Sequence, residues 1–370
     1  MLKKAAALFL VCGSIAIWVG CSSTSNRYLY AAVPTSNEIV AYREDPNSGA
    51  LIQLVGSPIT AGPGVQAMAM HPTGKYLYAA NSGQNNVSVY AISNGALTEK
   101  PPRMNAGTSP TLLAIDSAGS FLYVGNSGSF DISVFSISTK DGTLTPVTQL
   151  SGATAPIGLT PINMAVSPSG NVLYVTGQGT QGYIEAFPLN NGVLGTPIAG
   201  SPYTTGTNPY GLAIAPGGGF LYTANKLDNS ISEFTINSDG SLTPFANSPI
   251  GETYTSPVSL AIDKSGKYLY VANQGNGNLI GYSIGTDGSL TLLSTSPFIT
   301  GTEPSVLAGD PGGGYIFVGN GSSPPALQSF SLAGSTGTLT SVSIYSLSGA
   351  GTPTSMVLTP EVVTSQPTIP

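Results

Sequence analysis

The sequence has few charged residues, one histidine and two cysteines. Charged side chains make up 8% of its 370 residues, against roughly 25% in an average soluble domain. With so few histidines and cysteines, four zinc ligands are not available, and no metal or cofactor is predicted. Acidic residues outnumber basic ones, 17 to 11. This balance argues against a nucleic-acid partner, which would require a basic patch.

Both cysteines lie in an N-terminal segment that is typical of an export signal. "MLKK" is followed by the apolar run "AAALFLVCGSIAIWVG", which ends at Cys21. "WVGC" resembles a bacterial lipobox, with Trp18 where leucine is usual. We predict a lipoprotein-type signal peptide over 1–20, then a lipidated Cys21 and a flexible tether over 21–27; the alternative is ordinary signal cleavage nearby. The mature chain would carry a net charge of about −8 and no internal disulfide, and would be anchored to a membrane in the periplasm or at the cell surface.

Glycine and proline are abundant and spread along the chain, as expected for many short strands joined by tight turns. One strand phrase returns every 45 to 51 residues. Its copies are "YLYAAV" at 28–33, "YLYAAN" at 76–81, "FLYVGN" at 121–126, "VLYVTG" at 172–177, "FLYTAN" at 220–225, "YLYVAN" at 268–273 and "YIFVGN" at 315–320. Its terminal asparagine is expected to hydrogen-bond its own backbone and begin the next turn.

Each period contains four strand phrases, which predicts an all-β fold of four-stranded antiparallel blades. The first phrase is of the type "LAIDSAG" at 113–119, and the third alternates, as in "DISVFSI" at 131–137. The fourth phrase follows a glycine hairpin and contains prolines that suit an outer edge strand. The chain begins on a second strand and ends on a first. We therefore predict a seven-bladed β-propeller over 28–360, with 352–360 pairing with 28–33 to close the ring and a C-terminal tail over 361–370.

These phrases resemble those of the lactonase-type propellers, relatives of 6-phosphogluconolactonase and of the YVTN-repeat surface proteins. The resemblance covers about 28–360 through "P-x-G-x-x-L-Y-V-x-N" and "S-V-Y-x-I … G-x-L-T". It implies the fold, and it implies a site of histidine, arginine and acidic side chains around the central channel. That set is hard to find here. His71 lies in the turn between first and second strands, on the face opposite the expected pocket, and is interpreted as a turn residue.

Candidate site residues lie where loops break the repeat, on the face that carries the second-to-third and fourth-to-first connections, called the loop face below. Tyrosines there, together with amides and a few charges, are typical of a carbohydrate or peptide pocket. The predicted ligand-binding residues are Gln66, Asn163, Tyr210, Asp228, Tyr254 and Gln274. The candidate catalytic residues are Glu252, Glu303 and Lys226.

The predicted fold and the candidate residues are consistent with two functions. The favoured one is an exported, lipid-anchored, monomeric propeller that binds a carbohydrate, peptide or protein through this loop face without catalysis. The alternative is a lactone hydrolase of the 6-phosphogluconolactonase type. In that enzyme Glu303 or Glu252 would act as the base and Lys226 would stabilise the oxyanion.

Overall fold

A computed structural model describes residues 26–149, 154–157, 160–178, 181–251, 254–321, 324–347 and 351–360. Within these ranges all regular structure is β-strand. The predicted signal peptide, Cys21, the tail over 361–370 and Glu252 lie outside the described residues.

The strands form seven antiparallel sheets, which confirms the seven-bladed propeller. We number the blades I to VII along the chain. The inner strands of blades I to VII are Ser355–Leu358, Val65–Met70, Pro110–Ile115, Thr160–Val166, Pro209–Ile214, Pro257–Ile262 and Pro304–Gly309. The second strands are Arg27–Val33, Tyr76–Asn81, Phe121–Asn126, Val172–Gln178, Phe220–Asn225, Tyr268–Asn273 and Tyr315–Asn320. The third strands are Glu38–Glu44, Asn86–Ser93, Asp131–Ile137, Gly182–Asn190, Ser230–Ile236, Asn278–Ile284 and Ala326–Ala333.

The fourth, outer strand is divided into two short pieces in blades I to VI. The first pieces are Leu51–Gln53, Ala96–Glu99, Leu144–Pro146, Val193–Leu194, Leu242–Pro244 and Leu290–Leu292. The second pieces are Ile59–Thr60, Met104–Asn105, Thr154–Pro156, Tyr203–Thr205, Ile250–Gly251 and Phe298–Ile299, and blade VII has one continuous strand, Thr338–Ser346. In four blades a Ser-Pro pair lies at the break, and the serine hydroxyl accepts a third-strand N–H, as Ser248 does from Glu233 at 2.8 Å. The outer position predicted for these prolines is confirmed, and the serine satisfies a donor that the interrupted ladder leaves open.

In five of the seven blades the recurring "LY" phrase joins the blade to the next through its tyrosine. In blade V the hydroxyl of Tyr222 donates to the carbonyl oxygen of Gly288, in the outer hairpin of blade VI, at 2.6 Å. Gly288 has a φ of +85°, and a Cβ there would lie 2.3 Å from the ring of Phe220. The hairpin therefore needs glycine both for its backbone and for close contact with the neighbouring ring. The same bond recurs at 2.7 to 2.9 Å in Tyr30–Gly95, Tyr78–Gly142, Tyr174–Gly240 and Tyr270–Gly337.

The asparagine that ends the phrase acts differently from the sequence-based expectation. Asn81 is fully buried, and its Nδ2 donates to the side chains of Asn86 at 2.8 Å and Ser88 at 2.9 Å on the third strand. Asn126 bonds Asp131 and Ser133 in the same way. The side chain thus joins two strands of one blade, because burial brings it closer to third-strand side chains than to its own turn.

Ring closure occurs as predicted in blade I. Leu29, Tyr30 and Ala31 pair with Leu358, Val357 and Met356, so one C-terminal strand completes a sheet begun by three N-terminal strands. The pairing places blade VII directly against blade I, and one apolar cluster contains residues of both.

A buried ion network crosses this seam between blades VII and I. Arg27 lies 3.1 Å from Glu44 of its own blade and 2.9 Å from Asp310 of blade VII, and all three side chains are buried. One guanidinium therefore serves two carboxylates. Burial, and then the charge of Asp310, raise the pKa of Glu44 to about 8 despite the contact with Arg27.

Candidate functional site

At or near the start of each inner strand, on the loop face, one residue lines a cavity shared by all seven blades. In blades II to VII the pairing of the inner strand with the second strand shifts by one residue there, as in a β-bulge. Such bulges re-aim a side chain without ending the sheet. The residues at this position are Gln66, Thr111, Ile162, Tyr210, Val258 and Ser305, and the corresponding residue of blade I is Thr354.

These seven residues line one cavity at the mouth of the central channel. Its volume is about 440 Å³, within the range usual for small-molecule sites. Leu112, Ser127, Pro161, Asn163, Ser259 and Val306 complete the described lining. The described lining contains no carboxylate, imidazole, ammonium, guanidinium or thiol, so it offers neutral hydrogen-bonding groups and apolar contacts.

Three of the predicted ligand-binding residues meet in this cavity. Gln66, Asn163 and Tyr210 all line it, and the Nδ2 of Asn163 donates to the backbone oxygen of Tyr210 at 2.9 Å. The Tyr210 side chain is 44% exposed, and the Nζ of Lys226 lies 5.0 Å from the centre of its ring. This cation–π contact holds a positive charge beside the mouth.

The other predicted residues lie outside the described lining. Asp228 accepts the N–H of Thr207, which orders the loop leading to Tyr210. Tyr254 is half-buried and packs against the apolar cluster between blades V and VI. Gln274 is half-buried and its N–H donates to the backbone of the preceding connection. Glu303 is exposed, with a φ of +57°.

His71 lies on the opposite face and has a structural role, as its interpretation as a turn residue implied. Its Nδ1 accepts the N–H of Thr73 at 3.1 Å, and its Nε2 lies 3.0 Å from the carbonyl oxygen of Gly119 in the next blade. Residues at the same turn in other blades also accept backbone N–H groups. In blade III, for example, the carboxylate of Asp116 accepts the N–H groups of Ser120 and Phe121, each at 2.7 Å. The imidazole therefore closes a turn and contacts the neighbouring blade.

Sequence reasoning missed most of the ring at the mouth. Thr111, Ile162, Val258, Ser305 and Thr354 are ordinary residues, and nothing in their chemistry attracts attention. Their common signal is position, because each directly follows a proline at the start of an inner strand. Tyr210 is recognisable from the sequence because it is larger than its counterparts in the other blades.

No group of three or more His, Cys, Asp or Glu side chains in the described ranges could hold a metal ion. No helix in the same part of the chain is long and apolar enough to cross a membrane.

The radial sheets and the axial cavity define a seven-bladed propeller with a ligand-sized mouth. The chain belongs to the family described as lactonase, 7-bladed beta-propeller, which it matches over 23–160, 157–248 and 247–358. No curated protein sequence matches it.

Solved structures of similar shape share little sequence with the chain. A candidate 6-phosphogluconolactonase from Bacteroides fragilis is 20% identical with a TM-score of 0.75, covering 91% of this chain and 99% of that one. The periplasmic gluconolactonase of Pseudomonas aeruginosa is 19% identical with a TM-score of 0.72, covering 91% and 100%. A protein from Lactobacillus plantarum is 18% identical with a TM-score of 0.76, covering 90% and 99%. At these identities the likeness extends to the fold alone.

Proposed function

We propose that the protein binds an uncharged polar ligand, a carbohydrate or a peptide, at the mouth of its central channel and performs no catalysis there. The observation that carries this proposal is the described lining, which has amides, hydroxyls and one exposed tyrosine but no acid–base group. An aromatic ring beside convergent neutral hydrogen-bonding groups suits a sugar face or a peptide backbone.

The alternative, lactone hydrolysis, has the family as its support. Water attack on a lactone carbonyl needs a base within hydrogen-bond reach of the water. Glu303 does not line the described cavity, and it occupies the left-handed position where sister connections have Ser109, Asn208 and Ser256. Lys226, the candidate for stabilising the oxyanion, contacts the ring of Tyr210, with its Nζ 5.0 Å from the ring centre. One ammonium group thus lies beside the mouth, while the described lining contains no base, and this favours binding over turnover.

The test combines a binding assay with a hydrolysis assay on the full chain. A glycan array and a peptide library are expected to give ligands whose binding is lost in Tyr210→Ala. Binding should persist in Ile299→Ala, a control in which an exposed side chain of the outer strand is removed. Hydrolysis of gluconolactone and 6-phosphogluconolactone is expected at the uncatalysed rate. If turnover is well above that rate and disappears in Glu303→Gln or Glu252→Gln, the protein is a lactone hydrolase and the binding-only proposal is wrong.

We further propose that lipidated Cys21 holds the propeller to a membrane with its mouth facing outward. Arg27 begins a second strand, so it lies on the face opposite the mouth. Only residues 22–26 separate Cys21 from Arg27, and five extended residues span roughly 17 Å. A short tether from that face would leave the mouth open to ligands. Labelling with radioactive palmitate is expected in the full chain and absent in Cys21→Ser, and equal labelling of both would contradict the anchor.

A further inference from the structure

Glu233 breaks the repeat at a buried framework position of blade V. It lies opposite Tyr222, the tyrosine of the recurring phrase, in the pairing of second and third strands. The residues at the same position in the other six blades are Ala41, Val89, Val134, Ala186, Gly281 and Ser329. All of these are small or uncharged. Only blade V has a carboxylate here, and its residue is 4% exposed.

No cation of the described chain compensates this carboxylate. Ion pairs seen among the described residues include Arg27–Glu44, Arg27–Asp310 and Arg103–Glu99, and none of these involves Glu233. A buried carboxylate without a counter-charge is costly, and it is normally paired or neutralised. Burial raises the pKa of Glu233, the N–H of Leu290 lowers it, and the charge of Asp287 raises it again. A cation from outside the described residues would relieve this cost.

Glu233 lines a groove that is large enough to admit such a cation. The groove lies between the third and outer strands of blade V and the outer hairpin of blade VI, and its volume is about 420 Å³. Asp287, which is exposed, supplies a second carboxylate, and its Oδ1 accepts bonds from the N–H and hydroxyl of Ser289. Phe245, Ile250 and Leu290 form apolar walls.

We infer that this groove binds an organic cation, a primary ammonium or guanidinium group carried on an aliphatic stem. The buried carboxylate and Asp287 match the charged head, while Phe245 and Ile250 cover the methylene stem and add a cation–π contact. A calcium ion fits less well, because it takes six to eight oxygen ligands and the described residues contain no cluster of three acidic or histidine side chains. The groove uses third and outer strands, so this inference is independent of the function proposed for the mouth.

The test is isothermal titration calorimetry of the full chain with defined probes. Cadaverine represents a free amine, and a short lysine-containing peptide represents a side-chain amine. The same peptide with an acetylated lysine, and calcium chloride, are the comparison ligands. Binding of an amine, but not of the acetylated peptide or of calcium, is expected. Preference for cadaverine over the lysine peptide, or the reverse, identifies the source of the cation.

Glu233→Gln is expected to weaken amine binding at least about tenfold, since it removes a buried charged hydrogen-bond partner. Asp287→Asn is expected to weaken it about two- to fivefold, because an exposed ion pair contributes less than a buried one. Glu185→Gln is the matched control, because Glu185 is a half-buried third-strand glutamate of blade IV outside the groove. It should bind as the unmodified protein does, and so should Tyr210→Ala. The exposed Asp287 keeps the test valid if Glu233→Gln does not fold. Undetectable amine binding at about 10 mM, equal affinity in Asp287→Asn, or binding of calcium alone would overturn the inference.

Discussion

The seam between blades VII and I is expected to make the protein less stable as the pH rises, through the titration of Glu44. The pKa of this carboxyl is raised to about 8 in the folded chain from an ordinary value of 4.5. Between these values the folded state holds a proton that the unfolded state has lost. The free energy of unfolding therefore falls as the pH rises, with the extra stability fully present below 4.5 and lost as the pH passes 8.

The size of the effect follows from one linked proton. A full proton difference changes the free energy of unfolding by about 1.4 kcal/mol per pH unit. The pKa of about 8 already includes the attraction of Arg27, so the difference from 4.5 corresponds to about 5 kcal/mol over the whole titration. Burial also raises the pKa of Glu185 to about 7 and that of Glu233. These two groups also lower the free energy of unfolding as the pH rises. The contribution of Glu44 is therefore obtained by comparing the unmodified protein with a variant that lacks this carboxyl.

The measurement is urea denaturation of the unmodified protein and of Glu44→Gln at several pH values from 5 to 9. Glutamine keeps the shape and cannot ionise, so the decline with pH should be shallower in the variant, and the two curves should diverge most above pH 7. Glu38→Gln, on the same strand, is the control and should follow the unmodified protein. Parallel curves for Glu44→Gln and the unmodified protein would refute the assignment of the proton to this network.

Three other predictions concern the ring itself. Deletion of 355–370 removes the closing strand and is expected to abolish the cooperative thermal transition, whereas a truncated chain with an unchanged Tm would contradict closure. Tyr222→Phe should cost about 1 kcal/mol by denaturation, since it removes one inter-blade hydrogen bond and leaves its carbonyl acceptor unpaired; no change in the urea midpoint would contradict this. Gly288→Ala should cost roughly 3 kcal/mol or more, because its Cβ would meet the Phe220 ring at 2.3 Å. Gly217→Ala, with nothing within 4 Å, is its control, and equal stability of the two variants would be inconsistent with this packing.

The architecture could be predicted from sequence because each blade repeats the same packing requirements. The "LY" phrase, the hairpin glycine and the outer proline each recur, so period and order give blade number and closure. What the phrase does at atomic level could not be predicted, since the hydroxyl of Tyr222 meets a glycine carbonyl 66 residues along the chain. The residues next to Tyr222 in the sequence do not indicate this contact.

The candidate site was predicted only in part, for a different physical reason. Tyr210 and Gln66 differ from their counterparts in size or polarity, and that difference made them visible. Thr111 and Ser305 contribute through the direction that a bulge gives their side chains, which composition does not reveal. Glu233 is visible in the sequence phrase "SISEFTI". Its interest as a binding residue emerges only from the structure, which shows that the other blades have uncharged side chains at the same buried position.

The ring of bulge residues separates recognition from folding. In five blades, III to VII, a proline precedes the bulge and the ladder resumes after it, so the backbone direction is set by neighbours and not by the side chain that faces the axis. Tyr210 and Thr354 are exposed, so replacing either with another residue should have little effect on the stability of the sheets. A propeller of this construction can acquire a new ligand preference one blade at a time, by point substitutions that its fold tolerates.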